Sequence, residues 1–232
     1  MARRTFQETD APEHTATRRL VNGNFAKPVV GRFEGLIREL ASYIADKALE
    51  KTEFDAVDAM AKQLPMMMLG RILGVPDEDL DWLVERGDAL IGNSDPDFTD
   101  HVVDKMDTSA YRFMPFRSPA GVELYDYAAD LLENRRAVAE DGILAKMMQD
   151  ENGLKELEFK NFFCLLVAAG NDTTRYSIAM ALNLLAHNYQ LIAQLRTGEY
   201  WDTCADEFIR LASPTMHFRR TITQDFEMHG KT

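Results

Sequence analysis

The 232-residue chain predicts a mainly α fold built as one unit, and three observations carry that expectation. Apolar residues recur at helical spacing through segment after segment. The stretch from Leu157 to His187 holds no Pro and one Gly, so a single helix on the order of 45 Å long can run through it. Hydrophobic residues make up 46% and charged residues 28%, enough for a sizeable core, and there is no repeat, linker or low-complexity stretch to divide it.

The elements follow in order. Asp10 is placed to cap a first helix, with Pro12 in its first turn and Glu13 closing a capping box, and the helix runs past Leu20 toward Phe25. Phe33, Leu36, Ile37, Leu40 and Ile44 share one face of a second. A third covers 55–73, with Leu64, Met67, Met68, Ile72 and Leu73 turned inward; Gly74 ends it and Pro76 restarts the chain. Residues 77–91 read as helix and 92–100 as a loop. Helices near 120–138 and 141–149 precede a turn at Gly153. After the long helix come 189–196 and then Trp201–Ala212, which Pro214 stops. From Met216 to Thr232 the Thr, Phe and Ile residues predict short strands.

Composition narrows function. A net charge of −12 argues against a general nucleic-acid binder, which needs a basic face. Two cysteines exclude a disulfide scaffold and a four-cysteine zinc site, and they fit a reducing cytoplasm. Met1 to Asp10 has no apolar run of the signal-peptide kind, and the apolar stretch Phe162–Gly170 is too short to span a membrane. Residues 1–40 carry seven bases against five acids, a net +2, which leaves 19 bases and 33 acids, a net −14, for the rest. The basic cluster reads either as a docking face for an acidic partner or as chance. The 12 methionines, Met66 to Met68 among them, suit a pocket wall or plain core filling.

Three constellations could carry chemistry. Gly170, Asn171, Asp172, Thr173 and Thr174 are five poor helix formers in mid-helix, costing roughly 3 kcal/mol by summed propensity. Thr173 can bond back to the carbonyl of Ala169, Gly170 lets a large flat group approach, and Asp172 sets an acid beside an alcohol for proton relay. The same residues also fit a simple bend with hydroxyls against a neighbouring helix. Glu207 and Arg210 lie on one helix face as an ordinary surface pair or as part of something larger. His14 and Arg18, four apart, could hold a carboxylate or merely face solvent. No phosphate loop, dinucleotide fingerprint, His-Glu-x-x-His or Gly-x-Ser-x-Gly occurs, and the five histidines are too dispersed for a metal site.

Taken in this order, the pieces resemble the cytochrome P450 family of haem-thiolate monooxygenases. Ala169-Gly170-Asn171-Asp172-Thr173-Thr174 is similar to the family's oxygen-activation motif, Glu207-x-x-Arg210 to its Glu-x-x-Arg helix, and Arg219 to an arginine on a haem propionate. Asp10-Ala11-Pro12-Glu13-His14-Thr15-x-x-Arg18 resembles the helix that holds the other propionate, although the family often has a proline where Ala11 stands. The resemblance covers Thr9 to Thr232, and the chain is similar to soluble bacterial members, some of which oxidise steroid side chains, terpenoids or alkyl chains.

The resemblance implies a cytochrome P450 fold that is truncated, one partial domain over 1–232. It implies haem as cofactor and insertion of one oxygen atom from dioxygen into a C–H bond of a hydrophobic small molecule. Asp172 and Thr173 would be catalytic. His14, Arg18, Ala169, Gly170 and Arg219 would contact haem, and Glu207 with Arg210 would form a buried structural pair. Leu165, Ala168, Thr215 and Met216 would face substrate. A ferredoxin-type redox partner would meet Arg3, Arg4 and Arg19. Neither Cys164 nor Cys204 has the Phe-x-x-Gly-x-x-x-Cys-x-Gly surround of the family's iron-ligating loop, so no metal ligand is assigned, and the chain is expected to be an internal piece, inactive alone. The alternative is a non-catalytic helical remnant or interaction module.

Overall fold

A computed structural model describes residues 5–102, 105–134, 154–217, 222 and 224–231. The main helices are α1 (Glu13–Asn22), α2 (Lys27–Val30), α3 (Glu34–Leu49), α4 (Gln63–Leu73), α5 (Leu80–Ile91), α6 (Pro119–Asn134), α7 (Glu156–Ala186), α8 (Tyr189–Leu195) and α9 (Trp201–Ala212). The mainly α expectation holds. Arg3, Arg4, Arg219 and the expected helix at 141–149 lie outside the described residues.

α7 is the axis of the fold. It has 31 residues, and α4, α5, α6 and α9 pack against it. Glu158 Oε2 accepts the Lys155 N–H at 2.8 Å, and Glu156 and Glu158 place negative charge on the first turn, where the helix dipole favours it. Its N-terminal half is apolar on nearly every face: Phe159, Phe162, Phe163, Cys164, Leu165, Val167 and Ala168 are all buried. They meet Leu69 and Leu73 of α4, Leu83 and Leu90 of α5, and Leu124, Ala128 and Leu131 of α6. Past Asn171 no α7 residue is fully buried. α1 joins the core through Val21, and the Phe25 ring just after it sits edge-on to Phe162 at 6.2 Å.

Local signals account for most boundaries. Asp55 Oδ1 accepts from the N–H groups of Val57 and Asp58, capping a π-helical turn, Val57–Ala61, that leads into α4. Gly74 ends α4 at φ 69°, the left-handed conformation glycine adopts freely. Asn188 caps α8 by accepting from Leu191 N–H at 3.0 Å.

Three expectations fail. Asp10 makes no side-chain cap: Pro12 occupies the cap position of α1, and it is the Asp10 carbonyl that accepts the His14 N–H. Of the short C-terminal strands expected over Met216–Thr232, residues 218–221, 223 and 232 lie outside the described residues, and the described part holds one isolated bridge between Met228 and Lys231, with no described strand beside it to pair with. In α4 the deepest residues are Pro65, Leu69, Gly70 and Leu73, while Leu64, Met67, Met68 and Ile72 are half-buried.

One half-buried polar contact ties α6 to the turn just before α5. The Tyr127 hydroxyl donates to Asp79 Oδ2 at 2.6 Å, with the Trp82 ring 5.2 Å from the Tyr127 ring. Burial first, then the bond to Asp79, push the Tyr127 phenol well above its ordinary value. The neutral phenol is favoured on folding, so its contribution is complete below about pH 10 and is lost as pH rises beyond that. Tyr127→Phe is expected to cost about 1.5 kcal/mol at neutral pH. Chemical denaturation from pH 7 to 11 should show the gap between variant and wild type narrowing above pH 10.

Candidate functional site

The five weak helix formers remain helical because the turn just before them is clamped from three sides by α4, α5 and α6. The back-bond expected of Thr173 is present: its Oγ1 donates to the Ala169 carbonyl at 3.2 Å. Ser177 Oγ repeats the pattern one turn on, donating to the Thr173 carbonyl at 2.9 Å. The close approach that Gly170 permits is made here by Leu69 of α4, whose Cδ1 would lie 3.1 Å from a Cβ at that position.

Asp172 and Thr173 come together on adjacent positions of α7, and they are joined by residues that sequence reasoning did not single out. Arg175 Nη2 donates to Asp172 Oδ1 at 2.8 Å, and Nη1 donates to Asp88 Oδ2 of α5 at 2.8 Å. Asn171 is buried, with Nδ2 3.4 Å from Asp88 Oδ1 and its Oδ1 without a hydrogen-bond partner. Side-chain exposure is 16% for Arg175 and Asp88 but 37% for Asp172, so the acid of the motif is the member that reaches water. Burial opposes the charge on Arg175, and the two carboxylates more than offset it, raising the guanidinium above its ordinary value. The only sequence signal for this cluster was Arg175 itself, an arginine one turn past the acid.

The other expected site residues scatter. His14 is half-buried and Arg18 exposed on one face of α1, where Arg18 Nε donates to Asn22 Oδ1 at 3.2 Å. Leu165 and Ala168 lie in the hydrophobic core, whereas Thr215 is exposed and Met216 is 88% exposed. Ala169 is exposed as well.

Glu207 and Arg210 form the expected pair, with two bonds of 2.7 Å, and this forked contact holds the Glu207 carboxyl below its usual range. The pair is not buried: both side chains are more than half exposed. α9 presents its apolar residues Trp201, Ile209 and Leu211 to the same open surroundings, and only Ala212 of that helix is buried. Burial of the pair would need atoms that no described residue supplies.

Neither cysteine is a poised ligand. Cys164 is buried in the core, and desolvation pushes its thiol up to about 12. Cys204 is half-buried on α9 with Sγ 3.6 Å from the Trp201 carbonyl. An aromatic disulfide reagent at pH 8 is therefore expected to modify Cys204 in the native chain and Cys164 only after unfolding. Rapid labelling of both thiols without denaturant would contradict the packing around Cys164.

No protein-family model matches the chain. It is 30% identical over 233 residues to a steroid C26-monooxygenase of Mycolicibacterium smegmatis, an alignment that takes in 99% of this chain and 51% of that protein. Its fold resembles that of a Mycobacterium marinum cytochrome P450 in complex with pseudoionone, with TM-score 0.68 and 29% identity, covering 83% of this chain and 45% of the other. It also resembles CYP109E1 of Bacillus megaterium in complex with testosterone, with TM-score 0.81 and 24% identity, covering 98% and 58%. The chain spans about half the length of the curated relatives it matches. The motif on α7, the helical architecture around it and these likenesses agree: the chain has the fold of cytochrome P450s and is similar to them over about half their length.

Proposed function

We propose that this chain forms the oxygen-side wall and one carboxylate-binding helix of a haem-dependent monooxygenase acting on a C–H bond of a hydrophobic small molecule. The observation that carries the reading is the α7 motif, a helix-weakening acid–alcohol pair whose acid is held by Arg175 and whose alcohol donates to the Ala169 carbonyl. The name of the mycobacterial relative makes a steroid-like or other apolar substrate the natural class to test first.

The residues fit haem in part. His14 and Arg18, one turn apart, can together donate to one carboxylate, and Arg219 is the residue we assign to the other. The iron's thiolate ligand has no counterpart: Cys164 is locked in the core and Cys204 sits among the residues of α9. Haem, when bound, supplies dioxygen activation. The chain's own part is to hold and move protons. Asp172, through its exposed edge, takes protons from water, and Thr173 Oγ1, bound to Ala169 by a long bond, can turn to pass a hydrogen bond onward. Ala169 leaves its side of α7 open to solvent, whereas the space beside Gly170 is taken by Leu69 of α4. Of the four residues we assign to substrate contact, Thr215 and Met216 are exposed, whereas Leu165 and Ala168 are packed in the core and would need repacking of α7's neighbours to reach a ligand.

Electrons would come from an acidic ferredoxin-type protein docking on the basic α1 region, where Arg19 is exposed. In an enzyme joining this segment to a haem-thiolate loop, Thr173→Ala is expected to divert reducing equivalents from product to peroxide or water. Unchanged coupling would remove Thr173 from the mechanism.

The unsuited thiols favour a second reading for the chain by itself, a helical unit that does not ligate iron through sulfur. Reconstituted with haem, reduced and exposed to carbon monoxide, it is expected to lack the thiolate-type absorption band. Appearance of that band would show that one of the two cysteines reaches iron.

A further inference from the structure

Arg175 is shared between two helices. One arm of its guanidinium holds Asp88 of α5 and the other holds Asp172, each at 2.8 Å. Arginine's planar fork presents separate donors to the two carboxylates at fixed directions, which the compact, rotating ammonium of a lysine does not. The two ends are unequal. Asp88 is as sheltered as Arg175, and charge pairs strengthen as water is excluded, whereas Asp172 stands at the wet edge. The bridge depends on close helix approach: a Cβ at Gly87, the residue before Asp88, would lie 3.2 Å from Val167 Cγ1 and 3.3 Å from the Val167 carbonyl oxygen.

We infer that Arg175 and Asp88 are positioning residues for Asp172, forming a latch that fixes its carboxylate while allowing its release. When Asp172 turns away, Asp88 still compensates the guanidinium, so the motif acid can leave without stranding a sheltered cation. The inference rests on the proton-carrying part proposed for Asp172, and it gives that part a mechanical origin in α5. Asn171 supports the anchor by directing Nδ2 toward Asp88.

The latch is tested on the full chain without haem. Asp172→Asn is expected to raise the unfolding equilibrium constant severalfold in the wild-type background. In Asp88→Asn the same change should raise it at least about tenfold more, because Arg175 then loses its last partner. In Arg175→Gln the two acid substitutions should be additive. In parallel, the side-chain carboxyl carbon resonance of Asp172, assigned by its disappearance in Asp172→Asn, should move in Asp88→Asn and stay fixed when Asp88→Asn is made in Arg175→Gln. Additive effects in all backgrounds with an unmoved Asp172 resonance would overturn the latch. Should Asp88→Asn not fold, Asp88→Glu takes its place: the longer acid re-aims Arg175 and must shift the Asp172 resonance, and no shift overturns the inference. Neither readout needs haem or turnover, so failure of the monooxygenase reading and failure of the latch are separate results.

Discussion

Phe163→Ala is expected to destabilise the chain by about 3–5 kcal/mol, measured by urea denaturation at neutral pH. Phe163 is fully buried on α7, its ring 5.8 Å from Tyr127 of α6 and 6.3 Å from Phe159 one turn earlier. Removing the ring deletes apolar contact and leaves a cavity beside the α6–α7 packing, where rigid helices limit collapse. The size of the effect follows from how unevenly the core is distributed. Every fully buried residue of α7 lies at or before Asn171, so this half carries nearly all the packing that holds the helix. Phe25, 40% exposed and touching Phe162 edge-on, is the internal control, and Phe25→Ala should cost about 1 kcal/mol. Similar losses at both positions would mean that the core around Phe163 is loosely packed.

The same distribution explains what the sequence could and could not disclose. The ends of α4 and α9 were legible because Gly74 and Pro214 act through local backbone geometry. The Thr173 back-bond was legible because it reaches four residues along one helix. The Asp10 cap was misread because a proline two residues later can take the cap position itself. Arg175 and Asp88 are 87 residues apart, and no periodicity or spacing rule links positions on two helices that cross. Glu207 and Arg210 show the boundary between these cases. Their pairing is a property of one helix and was foreseen; their burial depends on what lies against α9, which one helix does not encode.

Gly87→Leu is expected to be the most damaging single substitution at the candidate site, lowering stability by about 3–5 kcal/mol and breaking the latch together. Its cause is steric before it is electrostatic. Even the first carbon of the new side chain would press on Val167 Cγ1 and on the Val167 carbonyl oxygen, and that oxygen belongs to the backbone of the most tightly packed turn of α7. The remaining three carbons have to part α5 from α7. Asp88 is the next residue on α5, so parting the helices carries its carboxylate away from Arg175 and leaves the guanidinium to Asp172 alone. Gly87→Ala serves as the graded case: its single carbon, 3.2 Å from Val167 Cγ1, asks for a shift of a few tenths of an ångström and should cost about 1 kcal/mol. The Asp172 carboxyl resonance should then stay near its wild-type position in Gly87→Ala and move in Gly87→Leu. A Gly87→Leu chain as stable as wild type, with Asp172 unmoved, would show that α5 does not need this close crossing to bring Asp88 to Arg175.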